Sequence, residues 1–308
     1  MKHYLSVLLV LFAAMLWGTT GTAQTFVPEA HPVAVGAMRL AVGGLVLLVL
    51  VYIQGHLNLK GWPLSATGIA AISMAAYQPF FFSAVAVTGV AIGTVVGIGS
   101  APILAGVLEW LFKGRVPDKK WWLATVLAII GCLLLFTTEQ DVSVSPLGVL
   151  LALGAGLSFA VYTFMNKQLI EHHPPEAAVA VVFTLSAIIL SPLLFLFDLS
   201  WVLQGQGIAV ALHLGVFATA VAYLLFSKGL LGVPASTAVT LALAEPLTAA
   251  MLGVFIVGEV LTLLAWGGIF LLFLGLGLLS FERTPKTGTN TNKADSRADT
   301  HAKSDCEA

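Results

Sequence analysis

Three ionisable side chains fall deep inside long apolar runs: Glu245, Arg39 and His213. An ionisable group in hydrocarbon costs about 2.5–3.5 kcal/mol on insertion scales, so each is a candidate functional group. Glu245 lies near the middle of its run, directly before Pro246. Desolvation favours a neutral acid and a nearby cation favours the carboxylate, so a glutamate held between the two can carry a proton or hold a substrate amine. The alternative is a structural carboxyl tied to a neighbouring helix. Arg39 lies roughly 9 Å into its run at about 1.5 Å per residue. There it either snorkels to the interface or meets a carboxylate, of this chain or of a solute. His213 is about as deep, as a hydrogen-bonded structural histidine or a titrating site. Pro246 removes a backbone donor and frees a carbonyl, which makes a polar kink; Pro79 and Pro102 are further candidate kinks.

The runs that carry these groups are long enough to cross a bilayer, which takes roughly 20 mostly apolar residues. Ten are predicted, at 5–25, 33–53, 66–86, 91–112, 121–137, 147–167, 176–196, 206–226, 235–256 and 262–281. Turn chemistry separates them: Pro28 and Pro32, Gly55 with Asn58, Pro117-Asp118, Pro146, Pro174-Pro175, and Gly232 with Pro234. The break at 86–91 is marked only by Thr88-Gly89, which is compatible with one long hairpin. A signal peptide over the first run is the competing reading, and the internal repeat, which needs that helix, argues against it. With the N-terminus in the cytoplasm, 13 of the 14 Lys and Arg residues fall in cytoplasmic segments, the exception being Arg39. The loops of the other side hold none of them. The positive-inside rule therefore predicts a multi-pass inner-membrane protein with both termini cytoplasmic.

Composition agrees. The 308 residues are 58% hydrophobic and 9% charged, against about 25% charged in a soluble domain, so lipid must be the solvent for most of the surface. A net charge of −1 leaves no basic footprint for nucleic acid. Cys132 and Cys306 form neither a disulfide framework nor a metal site. Glu171-His172-His173 with Glu176 matches no standard set of metal ligands. No Walker A motif is present, so no cofactor or ATP-driven chemistry is expected. Residues 282–308 turn polar, with no aromatic residue, and read as a disordered cytoplasmic tail.

The ten runs repeat. An offset of 144 residues brings Phe82-Ser83 onto Phe226-Ser227, Pro102 onto Pro246, Gly114 onto Gly258 and Gly131 onto Gly275. An offset of 142 brings Trp17 onto Phe159. The predicted fold is therefore all-α and integral to the membrane, with a first five-helix repeat over 1–137 and a second over 143–281. Five is odd, so the second repeat is inverted. Inverted repeats are the architecture of secondary transporters, whose binding site lies near the midplane where the halves meet.

Ala14-Met15-Leu16-Trp17-Gly18 in the first run resembles the opening motif of the EamA family, in the drug/metabolite transporter superfamily. Met38-Arg39-Leu40 resembles that family's second-helix arginine. Leu243-Ala244-Glu245-Pro246, followed by Val257-Gly258-Glu259-Val260, resembles its ninth-helix proline and Gly-Glu ending. The likeness covers roughly residues 5–281. It departs at Arg115, where an acidic residue is common, and at Val182 or Phe183, near the place of Arg39 in the second half.

The resemblance implies a ten-helix carrier with a central cavity, exporting amino acids or other small metabolites. It assigns spans one, three and six to the cavity wall, which makes Trp17, Thr20, Tyr77, Gln78, Tyr162 and Asn166 candidates beside the ionisable three. Glu109 is expected at the cytoplasmic interface. Gly93 and Gly97 form a G-x-x-x-G pair that more often packs neighbouring helices than joins two proteins, so the chain is expected as a monomer or a weak homodimer. The expected partners are a small-molecule substrate and membrane lipid, with a proton as a possible coupling ion. The alternatives are a carrier of a nucleotide-sugar or lipid-linked precursor, or an intramembrane enzyme acting on lipid-linked substrates. The enzyme would need clustered carboxylates or histidines, and these are scattered.

Overall fold

The computed structural model describes residues 2–56, 61–136, 145–258 and 260–281, and all regular structure among them is helical. The tail from 282, and the loop positions Lys60, Glu139, Asp141 and Glu259, lie outside the described residues. Ten helices match the predicted spans: α1 (Lys2–Gln24), α2 (Pro32–Ile53), α3 (Leu64–Gly89), α4 (Ile92–Lys113), α5 (Lys119–Leu135), α6 (Pro146–Leu169), α7 (Pro175–Leu194), α8 (Gly205–Leu230), α9 (Ala235–Ile256) and α10 (Leu263–Ser280). The chain is thus a multi-pass membrane protein. Several helix starts follow from capping residues: Asp118 accepts the Trp121 N–H at 2.8 Å and Thr262 that of Ala265 at 3.3 Å, each satisfying an orphan donor of the first turn. Outside the spans, Asp198 accepts the Ser200 N–H and hydroxyl at 2.9 and 2.7 Å, and these bonds, the backbone one first, hold its carboxyl below the usual range.

The weakly marked break between the third and fourth spans is a hairpin whose backbone leaves helical geometry at one residue, Gly89 (φ 83°, ψ 163°). A side chain is strained there, so glycine is the residue that turns this corner. Gly114 (φ 62°) and Gly258 (φ 81°) end α4 and α9 in the left-handed conformation, at the repeat offset of 144.

The packing carries the same symmetry. α1 lies against α8 and α9, as α6 lies against α3 and α4; α2 pairs with α7, and α5 with α10. The α5–α10 contact is reciprocal atom by atom. A Cβ at Gly131 would lie 2.6 Å from the Gly268 carbonyl oxygen and 2.8 Å from Leu272 N. A Cβ at Gly275 would lie 2.7 Å from the Ala124 carbonyl oxygen and 3.0 Å from Ala128 N. These six residues form three pairs, Gly131 with Gly275, Ala124 with Gly268 and Ala128 with Leu272, each 144 positions apart. That is what a pseudo-twofold axis between two inverted five-helix repeats generates. In lipid, where apolar burial against neighbouring helices gives little drive, such close backbone approach is what holds helices together. Gly93 and Gly97 pack within the chain, against Val85 and Phe81 of α3.

Candidate functional site

The helix that carries Glu245 is discontinuous. α9 runs regularly from Ala235 to Leu241, turns tightly through Ala242 and Leu243, and resumes at Ala244. At the break the Leu243 N–H reaches back three residues to the Thr240 carbonyl (3.1 Å), and the Glu245 N–H to that of Ala242 (2.9 Å). Pro246 explains this: it has no N–H to bond the Ala242 carbonyl, and its ring excludes that carbonyl from the usual place. Glu245 therefore sits in the first turn of a half-helix, where the helix dipole favours a carboxylate. The chain keeps right-handed geometry through this turn (Ala242 φ −62°, ψ −16°; Leu243 φ −64°, ψ −3°), so the ladder is tightened here and not unwound. Pro79 and Pro102 differ. Both lie in stretches whose backbone stays helical, because a proline removes one ladder bond, which a continuous helix in a bundle tolerates.

Arg39 does not snorkel. It is 8% exposed, and its guanidinium turns inward to α8: Nε donates to Thr219 Oγ1 and an Nη to the Ala218 carbonyl, both at 3.0 Å. α8 is locally widened between His213 and Val221, with each turn one residue longer than in an α-helix, so the Thr219 hydroxyl donates to the Leu214 carbonyl five residues back, at 2.8 Å. With its proton committed there, Thr219 Oγ1 is left as an acceptor for Arg39. Such insertions occur often at functional sites.

Arg39 and Glu245 face one small cavity, of about 30 Å³, together with Trp17, Tyr77, Phe159 and Tyr223. They do not close an ion pair. The walls are aromatic. Trp17 lies 5.7 Å from Phe159, edge to face, 4.7 Å from Tyr223 and 5.2 Å from Phe226; Tyr77 is 6.0 Å from Phe159. Trp17 and Phe159 are the repeat-related pair, so the two halves meet ring to ring at this place. Gly18 fixes α1 here: a Cβ on it would lie 2.7 Å from the Glu245 carbonyl oxygen and 2.6 Å from Thr248 Cβ.

The other candidates divide. Tyr162 is fully buried behind the cavity, 5.8 Å from Tyr223, and its hydroxyl lacks a protein partner. Asn166 donates to Ser227 Oγ at 3.0 Å, while its Oδ1 has no partner. Gln78 packs against Gly36 of α2, and Thr20 has an unpartnered buried hydroxyl; neither lines the cavity. His213 lies elsewhere, on an apolar groove of about 540 Å³ at the far ends of α1, α8 and α9, lined also by Thr19, Thr22, Phe26 and Leu252. The Thr19 hydroxyl donates to the Leu16 carbonyl (2.7 Å), so His213 Nε2, 2.8 Å away, donates to Thr19. Glu109, near the end of α4, is buried, accepting bonds from the start of α9; those two donors give it a partnered place. Phe159 and Tyr223 were missed as wall residues. The offset that maps Trp17 onto Phe159 was the signal for the first, and nothing in the sequence marked the second.

A sequence profile described as the EamA-like transporter family matches residues 4–137 and again 146–281. The chain is 53% identical over 281 residues to an uncharacterized transporter, YwfM, of Bacillus subtilis (strain 168), with 91% of this chain and 95% of that protein covered. It is 30% identical over 281 residues to the threonine/homoserine exporter RhtA of Escherichia coli (strain K12), with 87% and 90% covered. A crystal structure superposes with a TM-score of 0.77 at 19% identity, covering 89% of this chain and 95% of the other, which shows a shared fold.

Proposed function

Because the chain belongs to the EamA-like transporter family, we propose that it is a secondary carrier that exports a small amphoteric metabolite, an amino acid fitting best, across the cytoplasmic membrane. One observation carries this reading. A buried guanidinium and a carboxylate face the same aromatic-walled cavity from different helices without neutralising each other. A solute bearing both a carboxylate and an ammonium satisfies both ends, the carboxylate at Arg39 and the ammonium at Glu245. Trp17, Tyr77, Phe159 and Tyr223 offer faces for the side chain and for the cation. A single buried arginine in the membrane domain argues against a multi-phosphate solute, whose charge would need several cations.

The cavity has room for a water or two and not for an amino acid. Loading therefore requires α1 or α9 to move, and the pseudo-twofold lets the motion that opens one side close the other. Both termini lie in the cytoplasm in this reading, and Glu245 is the group that would couple a proton to the cycle. The relative named as a threonine and homoserine exporter supports the amino-acid class. Untargeted comparison of the medium around overexpressing and deleted cells tests it. An amino acid is expected to accumulate outside the overexpressing cells and to fall below the parent level around deleted ones. An unchanged amino-acid profile in both would contradict the reading.

A further inference from the structure

α1, α8 and α9 are spread at one end of the bundle, where they line the apolar groove beside His213. At the other end, which carries the start of α1, they are bound tightly, and the bonds converge on the connection between α8 and α9. Glu109, on α4, accepts the Ala235 N–H at 2.9 Å with one carboxylate oxygen and the Ser236 hydroxyl at 2.5 Å with the other. Lys167, in the last turn of α6, donates to the Leu230 and Val233 carbonyls. His3, on α1, lies 3.4 Å from the Gly232 carbonyl oxygen.

An acid buried to 8% exposure in a membrane protein is costly unless its oxygens are bonded. Here both are, by donors at the first residues of the broken helix that bears Glu245. The bonds are charge-assisted, and the half-helix they hold leads directly to the cavity. The spread end, by contrast, carries a bond between neutral side chains of α8 and α1, His213 to Thr19 at 2.8 Å, and a van der Waals contact of α1 with α9, Gly18 against Thr248. A carrier must break one closure to load and the other to release, and these two closures differ in kind.

We propose that Glu109 is the latch that keeps the central cavity shut toward the cytoplasm, a positioning residue acting through Ser236 and the start of α9 on Glu245. This rests on the carrier reading. Releasing the latch frees the α8–α9 connection to swing from α4 and α6, which opens the path that the substrate enters for export. The groove end then closes as α1 and α9 come together.

The test uses the full chain in lipid nanodiscs, with Cys132→Ala and Cys306→Ser to remove native thiols. Spin labels are attached at Leu111→Cys on α4 and Leu231→Cys on the connection, both exposed positions, and the distance distribution is measured by pulsed electron resonance. The parent is expected to give one short distance. Glu109→Ala is expected to add a longer one, with the ratio of long to short populations rising roughly tenfold or more, since a hydrogen bond to a charged group is worth at least about that factor. Ser236→Ala, which keeps the backbone bond, should fall between. Glu109→Gln, which keeps an acceptor for the Ala235 N–H, should do the same and serves if the alanine variant does not fold. A parent-like distribution in every folded variant would overturn the latch, even if melting temperatures fell. The readout needs no substrate, so a distance shift in a protein that moves no amino acid would leave the latch standing and remove the amino-acid reading.

Discussion

Glu245→Gln is expected to insert, fold and melt like the parent and to lose transport by roughly tenfold or more, the equivalent of one charge-assisted contact. Glutamine keeps the size and hydrogen-bonding capacity of the side chain and removes its charge and its proton. No hydrogen bond among the described residues depends on the carboxylate, and Arg39 keeps its bonds to Thr219 and Ala218 without it, so stability has little to lose. What is lost is the ligand for an ammonium and the group able to exchange a proton. Counterflow of a labelled amino acid into proteoliposomes, with thermal melting beside it, checks both halves. Unchanged transport would make Glu245 a spectator.

Arg39→Gln is expected to lose transport as well, and in contrast to lower the melting temperature. The guanidinium bonds Thr219 Oγ1 and the Ala218 carbonyl in a buried place. Removing it strands those acceptors, at about 1–3 kcal/mol. It also leaves Glu245 without the one cation that faces the cavity with it. An uncompensated buried charge is more damaging than no charge. The double variant Arg39→Gln with Glu245→Gln should therefore melt above Arg39→Gln alone while remaining inactive. The cycle of four proteins isolates the coupling between the two groups. Additive melting shifts would show that the charges act independently.

The architecture was legible because it follows from two strong signals, the length of apolar runs and the sidedness of charge. The 144-residue offset, weak at any one position, became a physical statement at Gly131 and Gly275, whose backbone contacts are repeat images of each other. At the site, Arg39 and Glu245 were readable as ionisable residues inside lipid-length helices, and Trp17 and Tyr77 as candidates that the family resemblance implies. Direction was not readable. Period and hydropathy do not say which face of a helix meets which neighbour, so Gln78, Thr20 and Asn166 were named as wall candidates while Tyr223 and Phe159 were not. His213 and Arg39 looked equivalent by depth, and only packing separates them: the widened turn of α8 presents Thr219 to Arg39, while His213 faces the apolar groove. The bonds of Glu109 were not readable because its partners, Ala235 and Ser236, are distant in sequence and ordinary in type.

If one cavity recognises both ends of an amphoteric solute, removing either end of the solute weakens its binding. Ligand-dependent melting of the purified chain in nanodiscs tests it most directly. The standard amino acids are screened first, and the strongest binder is then compared with its methyl ester and its N-acetyl derivative. At least one amino acid is expected to raise the melting temperature saturably. The ester, which has lost its carboxylate, and the acetyl derivative, which has lost its ammonium, should each bind roughly tenfold or more weakly, and Glu245→Gln should abolish the discrimination against the acetyl derivative. Equal stabilisation by all three compounds, or no response to any amino acid, would contradict it.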